Sequence, residues 1–246
     1  MMEQSVHGLS AAAMLEVWEQ GSGRHPLDQA LLLLRYACPE EPFEAMCEWS
    51  IGQRDAQLLA LRRQTIGDRI AAYAECPACR HGLEFDLSCT TLLASAPASN
   101  ATWTTIAQDG RSCEVRRPSS RDLVAAMSGA DPVEARQIIL SRCVRGEPGK
   151  TEAMAWTDTN AAALAQRLGE LDPLAEVLLE LRCEPCGTQW QALFDIVTFF
   201  WNELQARSRR LLQEIDLLAR TYGWTEGEIL RLGEQRRSLY VEMALS

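Results

Sequence analysis

Lysine is almost missing from this chain: Lys150 is the only one, and arginine carries the remaining positive charge. Arginine keeps its charge and presents a planar donor fork suited to acidic or aromatic surfaces, although genome composition alone produces the same bias. Histidine is scarce too, at three residues, and His7 and His25 have no recognisable partner. No apolar run approaches the roughly 20 residues that span a bilayer, which excludes a spanning helix. Residues Met1 to Ser10 lack the basic and apolar regions of a secretory signal, so the reading is a cytoplasmic protein. There is no phosphate-cradling Walker loop and no Gly-x-Ser-x-Gly elbow. No cysteine sits in a nucleophile–base pattern. These absences predict a non-enzyme with no small-molecule substrate. The formal charge of −10 disfavours a dedicated nucleic-acid binder, because phosphate contacts need clustered Lys and Arg.

Cysteine, by contrast, is plentiful: nine residues in 246. In a reducing compartment that points to metal and buried thiols rather than disulfides. Two pairs stand out, Cys76-Pro77-Ala78-Cys79 and Cys183-Glu184-Pro185-Cys186. Each holds two thiolates across a tight turn, as one half of a tetrahedral zinc ribbon requires. The residues after each pair also look alike: Leu83-Glu84-Phe85-Asp86-Leu87 after the first, Leu193-Phe194-Asp195-Ile196 after the second. The pattern predicts two strand–knuckle–strand units facing each other across one structural Zn2+ held by Cys76, Cys79, Cys183 and Cys186. Four thiolates close the site to water, so it is not catalytic. A redox role fits less well, because redox pairs normally open a helix after a strand. His81 is near enough to compete as a ligand, but four cysteines already suffice. Cys38, Cys47, Cys89, Cys113 and Cys143 read as small buried residues. Asp86 and Asp195 read as turn or cap residues.

Periodicity fills in the rest. Leu9–Glu19 reads as an amphipathic helix ended by Gly21-Ser22-Gly23, and a buried helix starts near Pro26 and runs to Tyr36. Pro39 and Pro42 break it, and Ser50 caps a third helix through Leu61. Arg69–Glu75 is a strand into the first knuckle. Ser95–Thr102 is a linker by composition, and Asp109-Gly110 marks a hairpin. Ser119 and Asp122 form a capping box, Asp131-Pro132 opens a helix through Cys143, and Gly146–Gly149 is a loop. A further helix covers Thr159–Leu168.

These elements predict an α+β, mainly α protein with a split four-cysteine zinc ribbon and a long C-terminal helix. Its regions are 1–66 (helical), 67–90 and 176–196 (ribbon halves), 91–175 (an insertion of hairpin and helices) and 197–246 (helical). In the last region Val197, Trp201, Leu204, Ser208, Leu211, Ile215, Leu218 and Tyr222 recur at steps of four and three, a heptad-like seam. It either packs inward on the chain's own bundle or receives a partner through Trp201, Leu204, Leu211, Ile215, Leu218, Tyr222 and Trp224. Gly223 sits where a helix ends, and Thr225 with Glu228 caps the next.

The C-terminal residues also carry a family likeness. It runs over Arg182-Cys183-Glu184-Pro185-Cys186-Gly187, Trp190, Phe194-Asp195-Ile196 and Phe200-Trp201. It continues through Leu217-Leu218-Ala219-Arg220-Thr221-Tyr222-Gly223-Trp224-Thr225-Glu226-Gly227-Glu228-Ile229-Leu230, with Arg236, Arg237 and Tyr240 beyond. This segment resembles the T-even-like phage baseplate hub or hub-assembly chaperone family of contractile tails and contractile injection systems. The likeness is clearest over 176–246, weaker around 70–90, and does not extend to 1–66 or the insertion. It implies a non-enzymatic structural or assembly protein whose partners are other baseplate or tail subunits. The alternative from another class is a zinc-ribbon nucleic-acid-binding or transcription-type module, which needs an exposed basic face.

Overall fold

The computed structural model describes residues 6–96, 103–108, 111–146 and 158–246. The expected Asp109-Gly110 turn, residues 97–102 of the linker and 147–149 of the loop lie outside them.

The N-terminal part is four helices. In α1 (Ala11–Gly21) Ser10 takes the cap, accepting from the Ala13 N–H, so the helix starts two residues later than its apolar pattern. Gly21, read as a terminator, is the buried last residue of that helix: a Cβ there would stand 2.2 Å from Trp201 Cη2. α2 (Pro26–Ala37) begins with proline, whose missing N–H is harmless there. Its four consecutive leucines, Leu31 to Leu34, are all buried. α3 (Phe43–Glu48) was not foreseen; Pro42, read only as a breaker, stands at its entry. α4 (Ile51–Thr65) opens with the Ser50–Gln53 capping box.

Two antiparallel hairpins flank an inserted unit. β1 (Arg69–Glu75) pairs with β2 (Gly82–Ser88), and β6 (Val177–Arg182) pairs with β7 (Gln189–Phe194). The first runs into the short α5 (Cys89–Leu93), the second into α9 (Ile196–Tyr222). Between them lie β3 (Thr104–Gln108), β4 (Arg111–Val115), α6 (Ser120–Ala126), α7 (Pro132–Cys143), β5 (Val144–Arg145) and α8 (Asp158–Leu171). A 3-10 turn, Pro173–Ala175, leads back to β6. After α9 come α10 (Glu226–Leu230) and α11 (Glu234–Ala244).

Three apolar clusters hold these elements. The largest joins α1, α2 and α4 to Ile70, Cys89 and the base of α9 through Ile196, Val197, Phe200, Trp201 and Leu204. A second belongs to the insertion and centres on Ile106, Val115, Leu140, Cys143 and Leu164. The third packs Leu15 of α1 against Leu211, Ile215, Leu218 and Ile229. α9 therefore runs through two cores.

That placement corrects the partner-facing reading of the seam. Trp201, Leu204, Leu211, Ile215 and Leu218 are all buried within this chain. A stripe whose i, i+3/i+4 positions are covered by the protein's own helices offers no surface to another molecule. Ser208 sits at 0% exposure in the same stripe, its hydroxyl 3.5 Å from the Met14 carbonyl of α1. Tyr222 remains 36% exposed, and Trp224 stacks on it at 4.8 Å and meets Tyr240 edge-on. Gly223 takes the left-handed conformation (φ 71°) that ends α9, and the Thr225–Glu228 capping box starts α10.

The insertion is fastened at the first turn of α4, whose leading N–H groups have no partner inside the helix. Ile51 donates to the Pro118 carbonyl (2.9 Å), Gly52 to the Asp172 carboxylate (3.0 Å) and Gln53 to the Ser50 hydroxyl (3.2 Å). A residue from the middle of the insertion and one near its C-terminal end thus meet one helix terminus.

Candidate metal centre

The two knuckles are built alike. Cys76 N–H donates to the His81 carbonyl and Cys183 N–H to the Thr188 carbonyl, each at 2.9 Å. Arg80 N–H closes onto the Cys76 carbonyl and Gly187 N–H onto that of Cys183, at 2.9 and 2.8 Å. The residue after the second cysteine is left-handed in both, Arg80 at φ 61° and Gly187 at φ 74°. Glycine adopts that conformation freely, whereas arginine is strained in it.

Equivalent positions stand at a constant spacing of 107 residues: Cys76 and Cys183, Cys79 and Cys186, Ser88 and Asp195. Ser88 caps α5 by accepting from Thr91 N–H (3.2 Å), and Asp195 caps α9 by accepting from Val197 N–H (3.0 Å). The repeated unit is therefore strand–knuckle–strand–cap–helix. The likeness of Phe85-Asp86 to Phe194-Asp195 is therefore out of register, and of the two aspartates only Asp195 is a cap. Asp86 corresponds to Leu193 instead, and it pairs with Arg69 at 2.7 Å.

The sulfurs of Cys76, Cys79, Cys183 and Cys186 all lie within 4.8 Å of one another, close enough to bind a metal ion. Cys76 Sγ is 3.6 Å from Cys186 Sγ, and Cys79 Sγ is 3.5 Å from Cys183 Sγ. These two contacts exchange under the 107-residue spacing, so the cluster has the pseudo-two-fold symmetry of the hairpins. Both distances far exceed the ~2.05 Å of a disulfide. Cys76 and Cys183 are buried, while Cys79 and Cys186 face outward. His81 supplies its carbonyl to the turn and is not part of the ligand group.

Protons compete with metal for these sulfurs. The Thr188 hydroxyl, 3.2 Å from Cys186 Sγ, and the Thr188 backbone N–H favour the thiolate and hold Cys186 down to about 6. Burial pushes Cys183 up to about 12. Thr188 was not singled out in the sequence; a hydroxyl two residues past the knuckle is the only signal it gives. The environment of the remaining cysteines favours the thiol over the thiolate. Burial raises Cys38, Cys47, Cys89 and Cys113, and pushes Cys143 up to about 12.

Compared with known proteins, the chain matches no family model, no curated protein and no solved structure. Among the described residues no helix is long and apolar enough to cross a membrane.

A second polar group was invisible in the sequence because it breaks the usual surface rule for charged residues. Arg54, Asp55 and Asp172 are all buried around the start of α4. Arg54 Nε meets Asp55 Oδ1 at 2.7 Å. Arg62, also buried, ties α4 to Glu203 of α9 by two 2.7 Å bonds and to the Gly67 and Arg69 carbonyls.

Proposed function

We propose that the protein is a non-enzymatic structural or assembly subunit of a phage tail or contractile injection baseplate. It is built around one structural zinc ion and binds other tail subunits in the cytoplasm of the producing bacterium. The observation that carries the reading is the all-sulfur cluster. Zn–S bonds of about 2.3 Å in a tetrahedron put neighbouring sulfurs about 3.8 Å apart. The cross-knuckle separations of 3.5 and 3.6 Å stand close to that value. A divalent ion of that softness suits four thiolates, and four thiolates leave no position for water or substrate. The tail assignment draws on the likeness of residues 176–246 to the baseplate hub family. There Asp195, Gly223, Thr225 and Glu228 act as caps and Trp224 packs among aromatics, duties suited to a scaffold.

Elemental analysis of the purified full chain is expected to return one zinc per polypeptide, and Cys183→Ser to return none. The same variant is expected to melt lower. Losing even ~4 kcal/mol lowers the melting temperature of a chain this size by about 8–16 °C. Zinc-free wild type, or iron in its place, would remove the zinc assignment. Affinity capture from producing cells is expected to recover sheath, tube or spike subunits. Recovery of nucleic acid with a steep salt dependence would replace the tail reading with the transcription-type one.

A further inference from the structure

The two hairpins are near-copies, so each serves as a control for the other. At the 107-residue spacing, Ala71 and Asp86 of the first correspond to Leu178 and Leu193 of the second. Both couples are direct cross-strand neighbours. In the first hairpin Asp86 is solvated and paired with Arg69. In the second both leucines face outward, Leu178 at 46% and Leu193 at 64% exposure. The fold does not need two large apolar residues there, since the sister hairpin has Ala71 and Asp86 in their place. Side by side on a solvent-facing ladder, they mark a surface that something covers.

Leu193 is also part of the wall of a cavity of about 200 Å³ between α4, Leu123 of α6, the 3-10 turn and the β7–α9 junction. Leu59, Leu174 and Ile196 contribute buried apolar wall. An apolar cavity of about 150 Å³ holds benzene. This one therefore takes one large side chain, and it falls short of the roughly 300–1,000 Å³ of a drug-sized site.

Arg54 lines the same cavity with its side chain only 5% exposed. Its Nε is taken by Asp55, but its Nη1 is buried and meets no acceptor among the described residues. That nitrogen is closed off even from water, so an occupant of the cavity does not reach it. Asp55 faces Asp195 and Asp172, so an acidic occupant would be repelled by all three. Outside the cavity, Glu176 and Glu180 are exposed two residues either side of Leu178, Glu176 just before β6 and Glu180 on the same face of that strand. The surroundings of the leucines are acidic, as is the whole chain at −10.

We propose that this face docks a partner polypeptide that inserts one Leu-, Met- or Phe-sized side chain into the cavity. Arginine or lysine beside it meets Glu176 and Glu180. The proposal rests on the reading of the protein as a partner-binding scaffold and assigns that scaffold its contact surface.

The test is methyl NMR on the zinc-loaded full chain titrated with acetyl-Arg-Leu-Arg-amide. Saturable shifts are expected at Leu59, Leu174 and Ile196 as the peptide rises to about 10 mM, the range of a weak contact. Arg-Ala-Arg and Glu-Leu-Glu peptides are expected to bind at least about tenfold more weakly. Leu193→Ser, at an exposed position, is expected to abolish the shifts with the melting temperature unchanged. Glu180→Arg is expected to move the preference toward Glu-Leu-Glu. No shifts, equal binding of Arg-Ala-Arg, or full binding to Leu193→Ser would overturn the proposal. The probe is independent of which machine supplies the partner. Peptide binding without recovery of tail subunits from cells removes only the tail assignment. Tail subunits recovered equally by Leu193→Ser would place the interface elsewhere.

Discussion

Two buried carboxylates pull the acid–base behaviour of the fold in opposite directions. Burial alone would raise the Asp122 carboxyl. Arg116 at 2.5 and 2.8 Å, the Ser119 N–H at 2.9 Å and Arg142 at 2.6 Å hold it well below the usual range instead. The unfolded chain titrates near 3.9. Asp122 therefore contributes fully above that pH, and its contribution is lost only as pH falls through the lower folded value. Asp122→Asn leaves two arginines without their buried counter-charge and is expected to cost about 3–5 kcal/mol at pH 7. Calorimetry at pH 7 and pH 3 should find the deficit shrinking in acid; an equal deficit at both would deny the carboxylate its role. Asp55 behaves the other way. Burial outweighs its Arg54 partner and raises it to about 6, so the folded state holds a proton the unfolded state has released. Stability then falls as pH rises from about 4 through 6, by about 3 kcal/mol in all. Asp55→Asn is expected to flatten this slope in melting temperature measured between pH 5 and 7. A variant with the wild-type slope would show that another group titrates there.

Single elements show which rules of the sequence carried through and which did not. Caps and turn residues were legible because their chemistry is local: Ser50, Ser119 with Asp122, Thr225 with Glu228, and Gly223 all act where their types predict. The cysteine pairs were legible because metal ligation fixes residue type and spacing together. The fate of the α9 seam was not. A stripe of Leu and Ile is the same whether the chain's own α1 and α11 cover it or a partner does, and only tertiary packing decides. Leu211→Ala is accordingly expected to cost about 2–5 kcal/mol in unfolding experiments on the isolated chain, the range for an emptied core site. Retention of wild-type stability would return Leu211 to the surface. Gly52 escaped notice for a similar reason. Its need for hydrogen in place of a side chain comes from Asp172, 120 residues away, whose Oδ1 would lie 2.1 Å from a Cβ. Gly52→Ala is expected to push Asp172 off the α4 terminus. Proteolysis within 103–175 should then become faster while 196–246 stays protected; an unchanged cleavage pattern would mean that other contacts fasten the insertion.

Across the whole molecule, the helical core seats α9, while the four-cysteine cluster that could hold a metal ion stands at the far end of the hairpins. The hairpin roots are embedded: Ile70 belongs to the main cluster, and Leu87, Val177 and Phe194 pack against it. The base of α9 is buried in the same cluster through Phe200, Trp201 and Leu204. The cysteines lie at the opposite ends of the ladders, where Glu75 pairs with Gly82 and Arg182 with Gln189. A metal ion held at the tips would stabilise the folded chain by binding it alone, without being the sole support of α9. Stripping the metal with a chelator at 25 °C is therefore expected to leave most of the helical circular dichroism. Hydrogen exchange should rise at Cys76–Gly82 and Cys183–Gln189 while the amides of Phe200 and Leu204 stay protected, since local opening follows local packing. Collapse of the helical signal would make the four sulfurs the sole organiser of α9. Unaltered exchange at both knuckles would mean that no ion held them.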